Sequence, residues 1–313
     1  MNLVQECVFV SSIDDYKNGL ISGRDLLRKV EMITGDPDQA AAILLVSGFS
    51  YAELWARDQA PVPADIRAQM GTAANPVTVK PDDPSISVKI ESFSGKVGTL
   101  SGYVARPRKE GSYPGIIVIH ENKGLMEHIK DVARRLAIAG YAALAPDLLS
   151  RVGGTESFKS QEELQKSLTQ IQPEEFLADL FSSLDHLKKL PFVQPDRLGV
   201  TGFCFGGGFT WRLATKRQDL KAAVPFYGAA PPLEDVPGIK AEVLALYGSL
   251  DERINAGIPD LETAMKAAKI RYQKVMYEGA KHAFHNDTGA NYHPEAARDA
   301  WKRTLDFFAR TLK

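Results

Sequence analysis

The chain has 313 residues, of which 44% are hydrophobic, and a formal net charge of −1. This length can bury one large core, and a near-neutral charge without basic runs argues against nucleic acid or an anionic membrane surface as a partner. The two cysteines, Cys7 and Cys204, are far apart in the sequence. Their spacing argues against a disulfide framework and predicts a reducing, cytoplasmic location.

The first 75 residues predict a helical arm. Ser22, followed by Asp25 and by apolar residues at helical spacing, indicates a capped amphipathic helix, and Asp36-Pro37 indicates the start of another. The apolar run at 40–46 is shorter than the about 20 residues of a bilayer span, and acidic residues precede it where a signal peptide would be basic. We expect residues 1–84, with the proline-rich stretch 76–84 as a linker, to pack on the remaining domain or on a second subunit. The consecutive apolar residues favour a homodimer, and an exported or membrane-associated form stays open as an alternative.

From residue 85 onward, the pattern changes to alternating strands and helices. Apolar runs lie near residues 116, 141, 198, 222, 243 and 273, separated by helical patterns such as 174–190 and 260–270. This alternation predicts an α/β fold with a mostly parallel sheet and helices on both of its faces. We expect residues 85–313 to form this single domain.

A glycine-flanked cysteine ends one of the predicted strands. In Gly202-Phe203-Cys204-Phe205-Gly206 the cysteine lies between an apolar run and a helix-like segment. A sharp strand-to-helix corner needs small residues two places on either side of its tip, and it points the helix N-terminus at the sulfur, which favours a thiolate. We interpret the run as a nucleophile elbow that projects its sulfur into solvent. The alternative is a buried structural cysteine beside a glycine-rich contact.

Two later strands end in polar loops that complete a triad. Asp251 follows the run 243–248, and His282 follows the run 272–277. The chain order nucleophile, acid, histidine is the one that the α/β-hydrolase topology imposes. His285 is the alternative base and Asp287 the alternative acid, although Asp287 is too close to His282 in sequence to approach it from another strand.

These motifs resemble those of the dienelactone hydrolase (carboxymethylenebutenolidase) family within the α/β-hydrolase superfamily. The similarity spans about residues 85–313, and its specific part is the cysteine elbow combined with the loop at Glu121. The similar blocks are VIHENKGL (118–125), APDLLSRVGGT (145–155), GFCFGG (202–207), VPFYG (224–228), YGSLD (247–251) and GAKHAFHND (279–287).

The resemblance implies roles for four side chains. Cys204 is expected to be the nucleophile, His282 the general base and acid, and Asp251 the carboxylate that orients the imidazole. Glu121 matches a family glutamate that lies by the thiol and helps to ionise it when substrate binds.

The same resemblance implies the surroundings of the reacting atoms. The backbone N–H groups of Asn122 and Phe205 would form the oxyanion hole. Tyr227, Arg151 and Asn286 fall near positions where the family places substrate-facing groups.

Together these features predict a hydrolase that cleaves a lactone or small carboxylic ester through a thioester intermediate. The chemistry needs neither a metal nor an organic cofactor, and the histidines show no H-E-x-x-H pattern. The family often carries a basic residue shortly after the histidine to receive a substrate carboxylate, where this chain has H-N-D at 285–287. This difference argues against a carboxylate-bearing dienelactone as the substrate. The alternative function is a non-catalytic hydrolase-fold protein that binds or assembles through its arm.

Overall fold

The computed structural model describes residues 1–49, Leu54 and residues 78–313. Within these residues eight strands form one sheet: β1 Ile86–Ser94, β2 Thr99–Pro107, β3 Tyr113–Ile119, β4 Ala142–Asp147, β5 Val193–Phe203, β6 Leu220–Phe226, β7 Glu242–Gly248 and β8 Tyr272–Tyr277. Their order across the sheet is β1-β2-β4-β3-β5-β6-β7-β8. β2 pairs antiparallel with both β1 and β4, and all other pairs are parallel. The α/β fold predicted from the alternating pattern is confirmed.

Helices precede the sheet and connect its strands. They are α1 Leu3–Lys17, α2 Gly23–Thr34, α3 Pro37–Val46, α4 Glu127–Ile138, α5 Gln161–Gln170, α6 Pro173–Lys189, α7 Phe205–Lys216, α8 Glu252–Ala256, α9 Ile258–Ala267 and α10 Pro294–Leu312. Helices α4, α6, α7 and α10 pack on the central strands.

The central strands are buried on both faces. Every residue of β4 is buried, as are all residues of β3 after its first. Strands in such a position carry near-continuous apolar runs instead of alternating ones, which is why the sequence predicts them well. Because the parallel strands end at one edge of the sheet, the loops after β3, β5, β7 and β8 lie together there.

The N-terminal arm has a small core of its own and also packs on the sheet domain. Val8 and Phe9 of α1 belong to the core of the arm, whereas Val4 and Cys7 belong to the core of the sheet domain. Ser22 caps α2 by accepting a hydrogen bond from the Asp25 amide. The arm therefore packs on its own chain, which is one of the two expected arrangements.

The end of α3 exposes apolar side chains of the kind that the expected homodimer would bury. In α3, Leu44 is buried, but Leu45 is 66% and Val46 is 91% exposed. The homodimer stays a prediction. Among the residues that the structure describes, no helix is long and apolar enough to cross a bilayer.

Gly206, the second residue of α7, lies against the end of β3. A methyl group there would come within 2.3 Å of the Ile119 carbonyl oxygen. Because this oxygen belongs to a buried strand, Gly206→Ala should lower the free energy of unfolding by about 1–3 kcal/mol. The measurement is the midpoint of urea denaturation.

Gly257→Ala is the matched control for this variant. The nearest atom to its added methyl group is Ala230 Cβ at 3.8 Å, an ordinary contact, and the backbone there is helical. Equal midpoints for Gly206→Ala and Gly257→Ala would contradict the close approach of α7 to β3.

Candidate active site

Cys204 occupies the corner between β5 and α7. Its backbone has φ 56° and ψ −114°, a conformation that costs a non-glycine residue about 1–3 kcal/mol. A methyl group on Gly202 would lie 2.3 Å from the Gly206 carbonyl oxygen. The backbone thus makes the sharp turn that the glycine spacing indicates, and it holds the cysteine side chain at the tip.

His282 and Asp251 lie on the loops that follow β8 and β7. His282 Nδ1 donates to Asp251 Oδ2 at 2.6 Å, and Nε2 on the other side of the ring has no hydrogen-bond partner. Burial alone would lower the pKa of His282, but the neighbouring Asp251 carboxylate raises it, which makes the ring a stronger base. The bond to Asp251 also orients the ring and leaves Nε2 as the nitrogen that can exchange a proton with Cys204.

The Cys204 thiol has neighbours on two different elements. It interacts with His282 and with the thiol of Cys7 in α1. The contact with Cys7, together with burial, raises the pKa of Cys204 well above its ordinary value, although His282 acts in the opposite direction. The sulfur therefore keeps its proton at neutral pH in the resting protein.

His120 holds the loop that follows β3. Its Nδ1 donates to the Glu121 carbonyl oxygen at 2.6 Å, and its Nε2 accepts from the Leu148 amide at 3.1 Å. Burial lowers the pKa of His120, in keeping with the neutral ring that this pair of bonds requires. Asp147 fixes the neighbouring loop by accepting bonds from the amide and hydroxyl of Thr155 at 2.7 and 2.8 Å.

The Glu121 side chain reaches the cavity that Cys204 lines. Its Oε2 accepts from Asn286 Nδ2 at 2.6 Å, and its Oε1 has no partner. Within the described part of the chain, no hydrogen bond joins the carboxylate to the thiol. The Tyr227 hydroxyl is buried without a partner, and burial together with the charge of Glu121 raises the pKa of Tyr227 well above its ordinary value.

The backbone N–H groups of Asn122 and Phe205 make no hydrogen bond with the residues that the structure describes. Phe205 is the first residue of α7, so its N–H belongs to the positive end of a helix. Asn122 lines the same cavity as Cys204. Unpaired N–H groups, one on the residue after Cys204 and one on a residue of the same cavity wall, are donors of the kind that a developing oxyanion requires.

Cavities open on two sides of the Cys204–His282 pair. One has a volume of about 130 Å³ and is mainly apolar, and the other has a volume of about 70 Å³. The smaller cavity carries three carboxylates and one lysine, from Asp14, Asp15, Glu121 and Lys123. Helix α1 contributes residues to both cavities.

Helix α1 covers the elbow. Cys204 is only 5% exposed, which corrects the expectation that its sulfur projects into solvent. Arg253 of α8 donates to the Glu6 carbonyl oxygen at 3.4 Å, and its guanidinium lies over the Phe9 ring. These contacts hold the first half of α1 over the sulfur.

The end of α1 is tied to the loop that carries His282. Asn18 donates to Asn291 Oδ1 at 3.1 Å and accepts from Lys281 Nζ at 2.7 Å. Asn291 in turn donates to the His282 carbonyl oxygen at 2.9 Å. The arm therefore touches both the elbow and the histidine loop.

The alternative base and acid belong to a neighbouring cluster. His128 Nδ1 donates to Asp287 Oδ1 at 2.9 Å, and Arg135 pairs with the same carboxylate. Despite burial, these partners lower the pKa of Asp287 to about 2. Burial lowers the pKa of His285 well below its ordinary value. Neither residue takes part in the histidine–aspartate pair beside Cys204.

Arg151 does not face the site, which corrects the expectation drawn from the family resemblance. Its guanidinium bonds Asp179 at 3.0 and 2.9 Å and Glu175 at 2.6 Å, both on α6. Two carboxylates satisfy this cation, and it lines neither cavity.

Sequence reasoning missed the residues that α1 brings to the site. Glu6, Cys7 and Val10 line the larger cavity, but no motif contains them. Apolar and polar residues are mixed around this helix, so its sequence carries no amphipathic signal. In the described residues, no cluster of His, Cys, Asp or Glu could hold a metal ion.

Comparison with known proteins identifies the family. The model of the dienelactone hydrolase family matches residues 100–312. A Salmonella typhimurium protein named "Putative carboxymethylenebutenolidase" is 34% identical over 250 residues, covering 75% of this chain and 92% of that protein. A Methylorubrum extorquens protein of the same name is 37% identical over 223 residues, covering 67% and 77%. The crystal structure of "Putative Dienelactone Hydrolase" from Klebsiella pneumoniae superposes with a TM-score of 0.67 at 35% identity, over 72% of this chain and 99% of that one. The chain therefore belongs to the dienelactone hydrolase family of α/β-hydrolase enzymes.

Proposed function

We propose that the protein hydrolyses a lactone or small carboxylic ester with Cys204 as the nucleophile. The observation that carries the proposal is the buried 2.6 Å hydrogen bond between His282 and Asp251 beside the strained cysteine corner. A protein that only binds or assembles has no use for an imidazole held in one tautomer next to a thiol. Family membership supports the type of reaction, and the geometry supports the assignment of the residues.

The first half of the reaction forms the thioester. His282 Nε2 takes the thiol proton, and Asp251 stabilises the imidazolium that results. Because the contact with Cys7 and burial keep the resting thiol protonated, ionisation is coupled to the entry of substrate. Glu121, whose Oε1 is free, is the second acceptor near the thiol. The thiolate then attacks the carbonyl carbon.

The oxyanion formed by this attack is held by the N–H groups of Asn122 and Phe205. One such donor is typically worth about 3–4 kcal/mol of transition-state stabilisation, so the loop after β3 matters as much as the triad. The imidazolium of His282 protonates the leaving alkoxide. Water, activated by the same ring, then hydrolyses the thioester and restores the thiol.

The cavities favour a small, neutral substrate. With volumes of about 130 and 70 Å³, the cavities suit short groups on either side of the reacting carbonyl. The larger cavity, with Val10 and Ile254 in its wall, suits an aliphatic group. The smaller one, with three carboxylates against one lysine, disfavours an anionic group. We infer a neutral ester or lactone.

The predicted homodimer and cytoplasmic location belong to the same proposal. Exposed Leu45 and Val46 supply an apolar contact surface on the arm. A thiol nucleophile persists best in a reducing compartment.

Cys204→Ala should abolish hydrolysis of p-nitrophenyl acetate and of simple lactones, because the variant loses the nucleophile. The fold should persist, since alanine is smaller than cysteine and fits the same corner. Steady-state rates and the urea midpoint measure the two properties. Turnover near the wild-type rate in this variant would mean that another residue is the nucleophile. A wild-type protein inert toward every ester and lactone would favour the non-catalytic alternative.

Asp251→Asn should lower kcat by roughly 10³–10⁴-fold, because the amide can neither hold the Nδ1 tautomer nor stabilise the imidazolium. Asp287→Asn is the matched control, since it removes a buried carboxylate that pairs with His128 and Arg135 instead of His282. Rates are compared per folded protein. A silent Asp251→Asn together with an impaired Asp287→Asn would reverse the assignment of the acid.

Glu121→Gln tests the ionisation step through pH. The raised pKa of Cys204 makes the thiolate scarce at low and neutral pH. The fraction of thiolate increases as the pH rises toward that pKa. The loss of kcat/KM in Glu121→Gln should therefore be largest at low pH and partly recover as pH rises. The pH profile of kcat/KM for both proteins is the measurement. A loss of equal size at every pH would point to damage in the oxyanion loop.

A further inference from the structure

The thiols of Cys7 and Cys204 are neighbours in the candidate active site. Both residues line the larger cavity, and the proximity of the Cys7 thiol is the main cause of the raised pKa of Cys204. The Cys7 carbonyl oxygen accepts from Asn122 Nδ2 at 3.4 Å, which holds this turn of α1 beside the elbow. They are the two cysteines of the chain. The proposed hydrolysis uses only one of them.

Small molecules can reach these sulfur atoms. Cys7 is 6% and Cys204 is 5% exposed, and the cavity beside them has a volume of about 130 Å³. A water molecule takes about 30 Å³ in the liquid, so hydrogen peroxide, with one more oxygen atom, fits this space.

We propose that Cys204 and Cys7 form a reversible oxidation site for small hydroperoxides. The Cys204 sulfur attacks the terminal peroxide oxygen, so an S–O bond forms and the O–O bond breaks. The thiol proton passes through His282 to the departing oxygen, leaving a sulfenic acid and water or an alcohol. The Cys7 sulfur then attacks the Cys204 sulfur, an S–S bond forms, and the hydroxyl group leaves with the Cys7 proton as water. The peroxide gains the two electrons that the sulfurs lose, and an external thiol restores both cysteines.

The position of Cys7 decides the fate of the sulfenic acid. A second peroxide molecule would convert it to sulfinic acid, which ordinary thiols do not reduce. Cys7 lies beside Cys204 in the wall of the same cavity, and well-placed neighbouring groups react as if present at about 10⁵ M or more, far above any peroxide concentration in solution. Disulfide formation is therefore faster than further oxidation by peroxide. The bond also blocks the nucleophile and ties α1 to the elbow.

The linkage is tested on the full wild-type chain with several equivalents of hydrogen peroxide per cysteine. Remaining thiols are alkylated, and the protein is digested with trypsin without a reductant. Cleavage after Lys17, Arg197 and Arg212 releases peptides 1–17 and 198–212, each with one cysteine. We expect these two peptides linked to each other within a monomer, with a mass two hydrogens below their sum, and separated again by dithiothreitol. Because the linked peptides are detected by mass and not by hydrolysis, the result tests the disulfide separately from the proposed function.

Cys7→Ser is the control variant, because serine keeps a similar size but cannot form the disulfide. After the same treatment its Cys204 should gain two oxygens, and dithiothreitol should restore far less of its own untreated activity than in the wild type. Wild-type protein that shows sulfinic Cys204 without the linked peptide overturns the proposal. So does a link that occurs only between two chains, or equal recovery in both proteins.

Discussion

The close backbone packing around Cys204 is the constraint on which the whole site depends. A side chain on Gly202 would collide with the backbone of Gly206, and one on Gly206 would collide with the backbone at the end of β3. This packing holds the cysteine in a positive-φ conformation whose cost, about 1–3 kcal/mol, is offset by the buried strands on either side. The same corner places the first N–H of α7 next to the sulfur and the loop after β3 alongside it. Asp251 and His282, each in the loop after its own strand, complete the arrangement.

Helix α1 contributes residues to the site from outside the region that the family model matches. The family model covers residues 100–312, whereas the helix that covers the sulfur lies at Leu3–Lys17. Relatives matched over the shared region therefore inform on the reaction type, while the shape of the cavity depends on Glu6, Cys7 and Val10. The arm also keeps the resting thiol protonated, which separates this environment from an elbow open to water.

Much of the fold could be predicted because buried parallel strands produce long apolar runs, which are a local signal. Cys204 could be predicted from glycines at fixed offsets, and Asp251 and His282 from the order that the topology imposes. Arg151 could not, because its orientation depends on carboxylates 24 and 28 positions away on α6. Cys7 could not either. Its position beside Cys204 joins two units with no shared motif, and the large separation that argued against a disulfide framework carries no information about distance in the fold.

Asn18 connects α1 to the loop that carries His282, and both lie outside the buried strands of the sheet. It bonds Asn291, which bonds the backbone of His282, so α1 and the histidine loop share surface hydrogen bonds. The strands beneath are buried on both faces and open only with the whole domain, whereas surface segments of this kind open at a smaller free energy. Detachment of α1 on heating would loosen the loop that carries His282 while the sheet is still intact. Heat inactivation would then set in below the melting temperature of the sheet, and the interval between the two temperatures would measure how strongly the helix is docked.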